Sequence, residues 1–321
     1  MAMDLATILS RLQERVKPNQ MELQLGVSEE GKYKCSVCKD KQLIIYRVHK
    51  DTEWKEETLN VKGNIETRLV PNEMVLEDDF LAGKICGPEQ AWEWRSTYSK
   101  KCNCVKAVKT NRILKSSEIT EAFKRKGFKS FLTEGKPQVI KDAYDCAVEY
   151  YQNFREIRNT ERNSMALLGN PGSGKTHLLT ALSNNLMSKK QIGVLYFPYV
   201  EGFTDLKDDF NKLQSKLDRM KKVEVLFIDD LFKPFMVQAG QGKIKKPRAT
   251  EWQVEMTYEV INYRYNNMLP FLISSELNTS ELRGVDPALA DRIIERCSDF
   301  TVNITGLEKE LNHRLRGIEN V

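Results

Sequence analysis

The sequence of 321 residues predicts an α/β fold, in which a parallel five-stranded sheet lies between helices, together with a small N-terminal unit. Three observations carry this prediction. Apolar strand-like and amphipathic helix-like segments alternate from residue 141 onward, a glycine-rich loop follows the first apolar segment, and an acidic pair follows a later one. The loop and the acidic pair both lie where a sheet of this kind binds its ligands.

The sequence divides into three regions. Residues 1–108 are predicted to form the N-terminal unit, which begins with an amphipathic helix at 5–16 and continues with cysteine-bearing turns. Residues 109–140 are rich in Lys, Ser and Gly and predict a linker, and residues 141–321 form the larger α/β domain. The predicted strands of this domain are 164–168, 192–197, 223–228, 270–275 and 299–304, and the predicted helices are 141–158, 202–221, 250–267 and 286–298.

The glycine-rich loop reads GNPGSGKT and matches the pattern G-x-x-x-x-G-K-[ST]. Its glycines permit backbone angles that turn successive N–H groups inward around phosphate oxygens, and the helix that follows places its positive N-terminus there. The alternative is a glycine-rich turn between a strand and a helix, with a solvated lysine. The residues assigned to nucleotide binding are Gly169, Asn170, Pro171, Gly172, Ser173, Gly174, Lys175, Thr176 and His177.

Four of the polar residues have specific predicted roles. Lys175 would reach the β- and γ-phosphates, and the Thr176 hydroxyl would ligate Mg²⁺. Asp229 and Asp230 end a buried apolar strand; we assign Asp229 to Mg²⁺ and Asp230 to orienting or deprotonating the attacking water. The alternative for the pair is an Asx turn that caps the next element. The loop and the acidic pair together predict a P-loop NTPase that uses ATP and Mg²⁺.

Composition limits the remaining classes. The chain has 50 basic and 45 acidic residues, so its net charge of +5 permits contact with nucleic acid without requiring it. No apolar stretch approaches the length of about 18 residues that a membrane span needs. Residues 1–10 carry an acid and no basic segment, which argues against a secretion signal. With seven cysteines, an odd number, the chain is expected to be cytoplasmic, with thiols free or bound to metal.

The cysteines of the N-terminal unit form a C-x-x-C pair and a C-x-C pair near its two ends. Structural Zn²⁺ sites take four such ligands in tetrahedral geometry, and a metal of this kind would stabilise a small polar unit. Cys86 or His49 could replace one ligand, and scattered free thiols are the alternative. The four predicted zinc ligands are Cys35, Cys38, Cys102 and Cys104.

Two further sets of residues suit an ATPase. The strand at 270–275 ends beside the acidic strand, so its polar tip would touch the γ-phosphate or the attacking water; the alternative is an ordinary strand end. Arg292 and Arg296 lie four residues apart on one helix face, which suits contact with the phosphate of a neighbouring subunit. Surface ion pairing with Asp291 or Glu295 is the alternative for these arginines.

Two segments could contact nucleic acid. Residues 233–248 carry five basic residues and several glycines, and they predict a mobile basic loop that grips a nucleic-acid backbone or is a solvated insert. Phe123, Phe128 and Phe131 lie among lysines, and they would either stack on bases or pack against the ATPase domain.

The motifs resemble those of the DnaC/DnaI-type AAA+ helicase loaders, and most closely the DnaC-like replication proteins of Gram-positive bacteria and their prophages. The resemblance covers residues 110–321, and the cysteine pairs are similar to those of the zinc-bearing helicase-binding domain of the DnaI type. The segments that carry it are 168–179 (LGNPGSGKTHLL), 227–231 (FIDDL), 261–264 (INYR), 272–275 (LISS) and 290–296 (ADRIIER).

This resemblance implies an AAA+ ATPase without a full C-terminal lid that binds the hexameric replicative helicase and delivers it to single-stranded DNA. ATP would promote a homo-oligomer, and the N-terminal unit would contact the helicase. The resemblance also implies roles for single residues. Ser275 would lie near the sensor-1 position, Arg292 would match the arginine finger with Arg296 as second choice, and Arg314 would touch nucleotide.

Three other functions remain open from the sequence. An IstB-like ATPase that assists DNA transposition has the same ATPase core, although the cysteine-bearing unit argues against it. A small-molecule kinase would need a lid and an acceptor pocket. A zinc and DNA-binding module with a vestigial ATP site would not need the intact set of Lys175, Thr176, Asp229 and Asp230.

Overall fold

The computed structural model describes residues 33–61, 64–94, 96–207, 209–239 and 242–313. The chain divides into two compact units, an N-terminal unit, Met1–Lys109, and a C-terminal unit, Thr110–Val321. The helix expected near the N-terminus and the expected nucleotide contact of Arg314 lie outside the described residues. None of the described helices is long and apolar enough to cross a membrane.

The described part of the N-terminal unit is built from short antiparallel strands. Strand β1 lies between β4 and β5 in one sheet, and β2 pairs with β3 in a separate hairpin. Leu43 of β1 pairs with Lys101 of β5, so the start of β1 lies beside the end of β5 and both cysteine pairs come to the same place. The elements are β1 (Leu43–Val48), β2 (Trp54–Val61), β3 (Asn64–Pro71), β4 (Met74–Leu76), α1 (Glu77–Leu81), a 3-10 turn (Pro88–Glu93) and β5 (Ser96–Lys101).

The segment 109–140 differs from the predicted linker. It contains the end of α2 (Cys104–Ser116), α3 (Glu121–Lys124) and a 3-10 turn (Phe128–Ser130). Ile119 and Phe131 are buried in the core of the C-terminal unit, with Phe123 and Phe128 packed against it. The lysine content that favoured a linker does not prevent this packing, since Lys115 and Lys129 are exposed.

The C-terminal unit alternates helices and strands as predicted. The helix predicted at 202–221 is divided into two, and Asp209 caps the second by accepting a hydrogen bond from the backbone N–H of Lys212 at 3.0 Å. The elements are α4 (Gln138–Ile157), β6 (Met165–Gly169), α5 (Lys175–Lys189), β7 (Val194–Pro198), α6 (Tyr199–Thr204), α7 (Phe210–Lys222), β8 (Val225–Asp229), β9 (Pro234–Ala239), β10 (Gly242–Pro247), α8 (Glu251–Asn266), β11 (Phe271–Ser275), α9 (Thr279–Val285), α10 (Pro287–Arg296), β12 (Thr301–Ile304) and α11 (Glu308–Leu311).

The predicted parallel five-stranded sheet is confirmed, with the strand order β12-β6-β11-β8-β7. Successive strand residues point to opposite faces. Leu168 and Ile228 therefore enter one buried cluster, whereas Leu167 and Phe227 enter the other. Both faces are covered, which explains why the strands read as continuous apolar runs. In the described residues beyond β12, which end at 313, the only helix is the single turn α11, so no full lid follows the sheet there.

The basic stretch 233–248 is also different from its prediction as a mobile loop. It forms an antiparallel hairpin of β9 and β10, in which Phe235 pairs with Lys246 and Val237 with Ile244. The hairpin begins a few residues after the acidic pair at the end of β8. Gly242, one of the glycines that suggested an irregular loop, is the first residue of β10.

Candidate functional site

The phosphate-binding loop connects the end of β6 to the start of α5. Gly169 has a φ of +107°, and a Cβ atom there would lie 2.2 Å from the carbonyl oxygen of Ile304. Gly174 has a φ of +88° and is the N-cap of α5, and a Cβ atom there would lie 2.5 Å from the ring of Phe131. Both positions therefore require glycine. The first N–H groups of α5 have no partner within the helix, so this loop suits an anion.

A cleft of 530 Å³ lies beside the loop, a size that suits a nucleotide. Two predicted binding residues support the loop instead of lining the cleft. The Ser173 hydroxyl donates to the carbonyl oxygen of Asn170 at 2.8 Å, and the Asn170 amide donates to the carbonyl oxygen of Gly306 at 3.1 Å. The predicted binding residues that line the cleft are Pro171, Gly172, Gly174, Lys175, Thr176 and His177.

Lys175 lies almost completely buried at the base of the cleft. Its Nζ atom donates to the carbonyl oxygens of Gly169 at 2.9 Å and Asn170 at 2.7 Å. Burial lowers the pKa of Lys175 to about 8, although the carboxylates of Glu276 and Asp230 oppose this shift. A phosphate group in the cleft would offer this ammonium stronger acceptors than the two carbonyls.

Asp229 is the centre of a polar network beside the phosphate-binding loop. The Thr176 hydroxyl donates to its Oδ1 atom at 2.8 Å, and the Tyr196 hydroxyl donates to its Oδ2 atom at 3.1 Å. The Ser274 hydroxyl also donates to Oδ1. Burial raises the pKa of Asp229, and these hydrogen bonds oppose the shift. A hydroxyl and a carboxylate side by side form the hard-oxygen set that Mg²⁺ prefers, so the residues fit that ion.

Asp230 follows with a positive φ of +56°, an uncommon conformation for a residue other than glycine. Its backbone N–H donates to the Ser274 hydroxyl at 2.8 Å, and its carboxylate lies 2.6 Å from the ammonium of Lys233. The same ammonium lies 3.9 Å from the carboxylate of Glu276. All three charged side chains line the cleft, so the carboxylate of Asp230 is held at its edge by a neighbouring cation.

Ser275 does not line the cleft. Its hydroxyl donates to the carbonyl oxygen of Leu231 at 2.7 Å and accepts the N–H of Leu277 at 3.1 Å, and the side chain is fully buried. The sensor position assigned to Ser275 is therefore corrected: on the other side of the strand end, the Ser274 hydroxyl donates to the carboxylate of Asp229, and Glu276 lines the cleft. Strand alternation is the reason, since neighbouring residues point to opposite faces.

One wall of the cleft is formed by residues that the sequence did not predict to bind nucleotide. The ring of Phe131 lies 5.3 Å from that of His177 and 5.0 Å from that of His313, measured between ring centroids. The aromatic residues that are spaced among the lysines of the predicted linker were a signal in the sequence that this segment packs against the domain. The further lining residues from this segment are Phe123, Lys126, Ser130 and Leu132.

The two arginines of α10 have different environments. Arg292 is half-buried, donates to the amide oxygen of Asn262 at 3.0 Å, and lies over the rings of Tyr258 and Tyr265. It does not line the cleft of its own chain. The same absence is expected of a residue that acts on the nucleotide of a neighbouring subunit.

Arg296 cannot serve as an arginine finger. It is 5% exposed, and its guanidinium donates to the carbonyl oxygens of Glu161, at 2.7 Å, and Tyr265. A buried guanidinium that is committed to backbone carbonyls has a structural role, so the assignment of Arg296 to catalysis is corrected.

The cysteine cluster lies in the N-terminal unit, where the four sulfur atoms are all within 4.8 Å of one another. The Sγ atoms of Cys35 and Cys102 are 3.8 Å apart, and those of Cys38 and Cys104 are 3.4 Å apart. Four thiolates around a tetrahedral Zn²⁺ with bonds of about 2.3 Å stand roughly 3.8 Å from each other. The spacing therefore fits the ion. Among the described residues, neither of the two possible replacement ligands, at positions 49 and 86, belongs to this cluster.

Comparisons with known proteins agree with the nucleotide site. A family model described as IstB-like ATP binding protein matches residues 145–307. The uncharacterized protein YqaM of Bacillus subtilis is 51% identical over 310 residues, which cover 96% of this chain and 94% of that protein. The phage-like element PBSX protein XkdC, also of Bacillus subtilis, is 56% identical over 217 residues, 68% of this chain and 79% of that protein.

A more distant relative is the replicative helicase loader DnaC of Buchnera aphidicola, which is 26% identical over 201 residues, 60% of this chain and 70% of that protein. The family model covers half of the chain, including the phosphate-binding loop, the acidic pair and α10. The protein is thus a member of the family of IstB-like ATP-binding proteins, and its C-terminal unit is an AAA+ domain of the IstB/DnaC type.

Proposed function

We propose that this protein is an ATPase that loads the hexameric replicative helicase onto single-stranded DNA, with ATP binding and hydrolysis switching assembly and release. The observation that carries the ATPase part is the Thr176–Asp229 hydrogen bond beside the buried Lys175 in a cleft of nucleotide size. The loader part is supported by the similarity to a replicative helicase loader and by a separate N-terminal unit with a cysteine cluster.

Each polar residue at the cleft has a separate role in the proposed reaction. Lys175 would exchange its two carbonyl partners for the β- and γ-phosphates, and Thr176 and Asp229 would hold Mg²⁺. A bound Mg²⁺ would neutralise charge on the phosphates. Asp230 accepts a proton from the water that attacks the γ-phosphorus, while the bond between that phosphorus and the ADP oxygen breaks. Ser274 positions both aspartates, since its hydroxyl donates to the carboxylate of Asp229 and accepts a hydrogen bond from the backbone N–H of Asp230.

Hydrolysis would be slow in the isolated chain because the cleft lacks an arginine of its own among the described lining residues. Arg292, half-buried on α10, would serve as the arginine finger for an adjacent subunit of an ATP-bound homo-oligomer. Arginine supplied in this way neutralises charge that develops on the transferred phosphoryl group.

We further propose that the cysteine cluster binds one structural Zn²⁺ and that the N-terminal unit, held together by it, contacts the helicase. Cys38, Cys102 and Cys104 are buried, and few other described side chains of this unit are buried, among them Val48 and Val70. A unit with so little apolar core gains most of its folding free energy from a metal of this kind.

The family model also supports a second candidate function, an IstB-like ATPase that assists DNA transposition. The two functions share the ATPase core, since the matched residues 145–307 lie within the C-terminal unit. The N-terminal unit distinguishes them, because a zinc-bearing unit outside the shared core favours the loader, which needs a surface for the helicase.

The experiment that tests the proposal is size-exclusion chromatography with light scattering of this protein mixed with a cognate hexameric replicative helicase, with and without Mg-ATP. We expect a co-eluting complex that responds to nucleotide. Lys175→Ala should remove the response to nucleotide, and Cys38→Ser should remove the complex. If no complex forms under any nucleotide condition, the loader function is wrong and the transposition function becomes the better one.

A further inference from the structure

The β9–β10 hairpin is a basic element without acidic residues. Residues 234–248 contain three lysines and one arginine, and neither aspartate nor glutamate. Among the described residues, no carboxylate pairs with Lys246 or Arg248, and both side chains are exposed. The hairpin therefore presents uncompensated positive charge to solvent, which attracts a polyanion.

One face of the hairpin combines this charge with exposed apolar side chains. Phe235 pairs with Lys246 and Val237 pairs with Ile244, so these four side chains share a face. Phe235 is 38% exposed and Ile244 is 55% exposed. The guanidinium of Arg248 lies 5.5 Å from the ring centroid of Phe235. A ring flanked by cations on a flat ribbon is the arrangement on which successive unpaired bases stack.

The opposite face of the hairpin is attached to the ATP site. The ammonium of Lys245 lies 3.3 Å from the carboxylate of Glu281 and donates to the carbonyl oxygen of Glu276. At the base of the hairpin, Lys233 pairs with the carboxylate of Asp230. A cavity of 480 Å³ lies between the hairpin and the phosphate-binding loop, and it is lined by Met236 and Lys245 of this face, with Pro234 and Phe235 at the base of the hairpin. A ligand that moves the hairpin would therefore move charges beside the acidic pair.

We propose that the hairpin face formed by Phe235, Val237, Ile244, Lys246 and Arg248 binds single-stranded DNA. The proposal rests on the proposed function in one respect, since a loader must meet the single strand that its helicase will encircle. The exposed aromatic ring favours unpaired bases over duplex DNA, whose bases are already stacked. The lysine and the arginine contact phosphates.

The test is fluorescence anisotropy of the full-length protein with a labelled oligothymidylate at several salt concentrations. Phe235→Ala should weaken binding about tenfold or more, whereas Phe235→Tyr, which keeps the ring, should bind as the unchanged protein does. Lys246→Ala should reduce the slope of log affinity against log salt by about 0.7, the value for one phosphate contact on a single strand. Lys189→Ala, which removes an exposed lysine at the end of α5, is the matched control and should leave the slope unchanged.

Three results would overturn the assignment: no binding of the oligonucleotide by the unchanged protein, equal affinity for duplex and single strands, or equal affinity for the Phe235→Ala variant and the unchanged protein. Failure of the loader proposal can be distinguished from failure of the hairpin proposal. If the hairpin variants lose DNA but no helicase complex forms, the hairpin proposal stands and the loader proposal does not. If a helicase complex forms and the hairpin variants bind DNA normally, the reverse holds.

Discussion

Two adjacent serines at the end of β11 have opposite surroundings. Ser274 bonds the carboxylate of Asp229 and the N–H of Asp230, whereas Ser275 bonds the carbonyl oxygen of Leu231 away from the cleft. Each is fully buried, so removal of either hydroxyl leaves a buried partner unsatisfied. Substitution of either serine should therefore lower stability, whereas only substitution of Ser274 should also affect catalysis.

We expect Ser274→Ala and Ser275→Ala each to lower the free energy of unfolding by about 1–3 kcal/mol. Only Ser274→Ala should slow ATP hydrolysis, by roughly tenfold to a hundredfold, because the two aspartates lose their shared support. ATP affinity should change little in either variant. Urea unfolding and steady-state hydrolysis of both variants check this. A larger loss of hydrolysis for Ser275→Ala would contradict the placement of Ser274.

The burial of Lys175 makes nucleotide binding depend on pH. Its pKa of about 8 means that the nucleotide-free protein loses the charge between pH 7 and pH 9. Because the charged amine binds phosphate, we expect ATP affinity to fall about tenfold from pH 7 to pH 9. Titration with a fluorescent ATP analogue measures this. Lys175→Met should bind weakly and without the pH dependence, and a flat profile for the unchanged protein would contradict the expectation.

The stability of the nucleotide-free protein should show the opposite trend. The folded-state pKa of Lys175 lies below its ordinary value of 10.5, so the buried charge costs stability below about pH 8. Between pH 8 and 10.5 the unfolded chain binds more protons than the folded one, so this contribution to the free energy of unfolding rises with pH. Denaturant titrations without nucleotide would detect it as a difference from Lys175→Met.

At the scale of elements, α10 carries one arginine for structure and one that is available to a partner. Three backbone carbonyl oxygens accept hydrogen bonds from Arg296, so Arg296→Ala should lower the free energy of unfolding by roughly 3 kcal/mol. Arg292→Ala should cost only about 1 kcal/mol, since this half-buried side chain loses a hydrogen bond to Asn262 and contacts with two tyrosine rings.

The function of Arg292 should appear only in the assembled state. We expect Arg292→Ala to keep ATP affinity and the slow basal hydrolysis while losing the stimulation that assembly brings. Nucleotide titration and hydrolysis at increasing protein concentration measure the two properties. If Arg292→Ala loses ATP binding itself, the proposal that Arg292 acts on a neighbouring subunit is wrong.

At the scale of the whole molecule, the two units have different sources of stability. The described part of the N-terminal unit has a cysteine cluster as its buried centre, whereas the C-terminal unit has a large apolar cluster on each face of its sheet. We expect two calorimetric transitions. A strong chelator should remove the transition of the N-terminal unit, and Mg-ATP at a hundred times its Kd should stabilise the other by about 2.7 kcal/mol.

Metal analysis should find about one zinc per chain, lost in Cys38→Ser and kept in Cys86→Ser. The second variant is the control, because Cys86 lies outside the cluster. If the protein contains no metal and the calorimetric transition of its N-terminal unit is unchanged, the zinc-site proposal is wrong.

The sequence by itself determined the parts that depend on local pattern. The loop at 169–176, the acidic pair after β8 and the five strands follow from motifs and from unbroken apolar runs, which a sheet buried on both faces requires. Spacing likewise identified four cysteines that the structure brings within 4.8 Å of one another. Residue type and periodicity carry this information without any knowledge of distant contacts.

Only the tertiary structure decided which side chains face the cleft. The choice of Ser274 over Ser275 depends on the strand face, and the burial of Arg296 depends on carbonyls of Glu161 and Tyr265, distant in sequence. The aromatic wall with Phe131 arises because a lysine-rich segment packs across the start of α5. The basic stretch became a hairpin through pairing between its own halves. These outcomes depend on register and on packing between separate segments, which no local pattern contains.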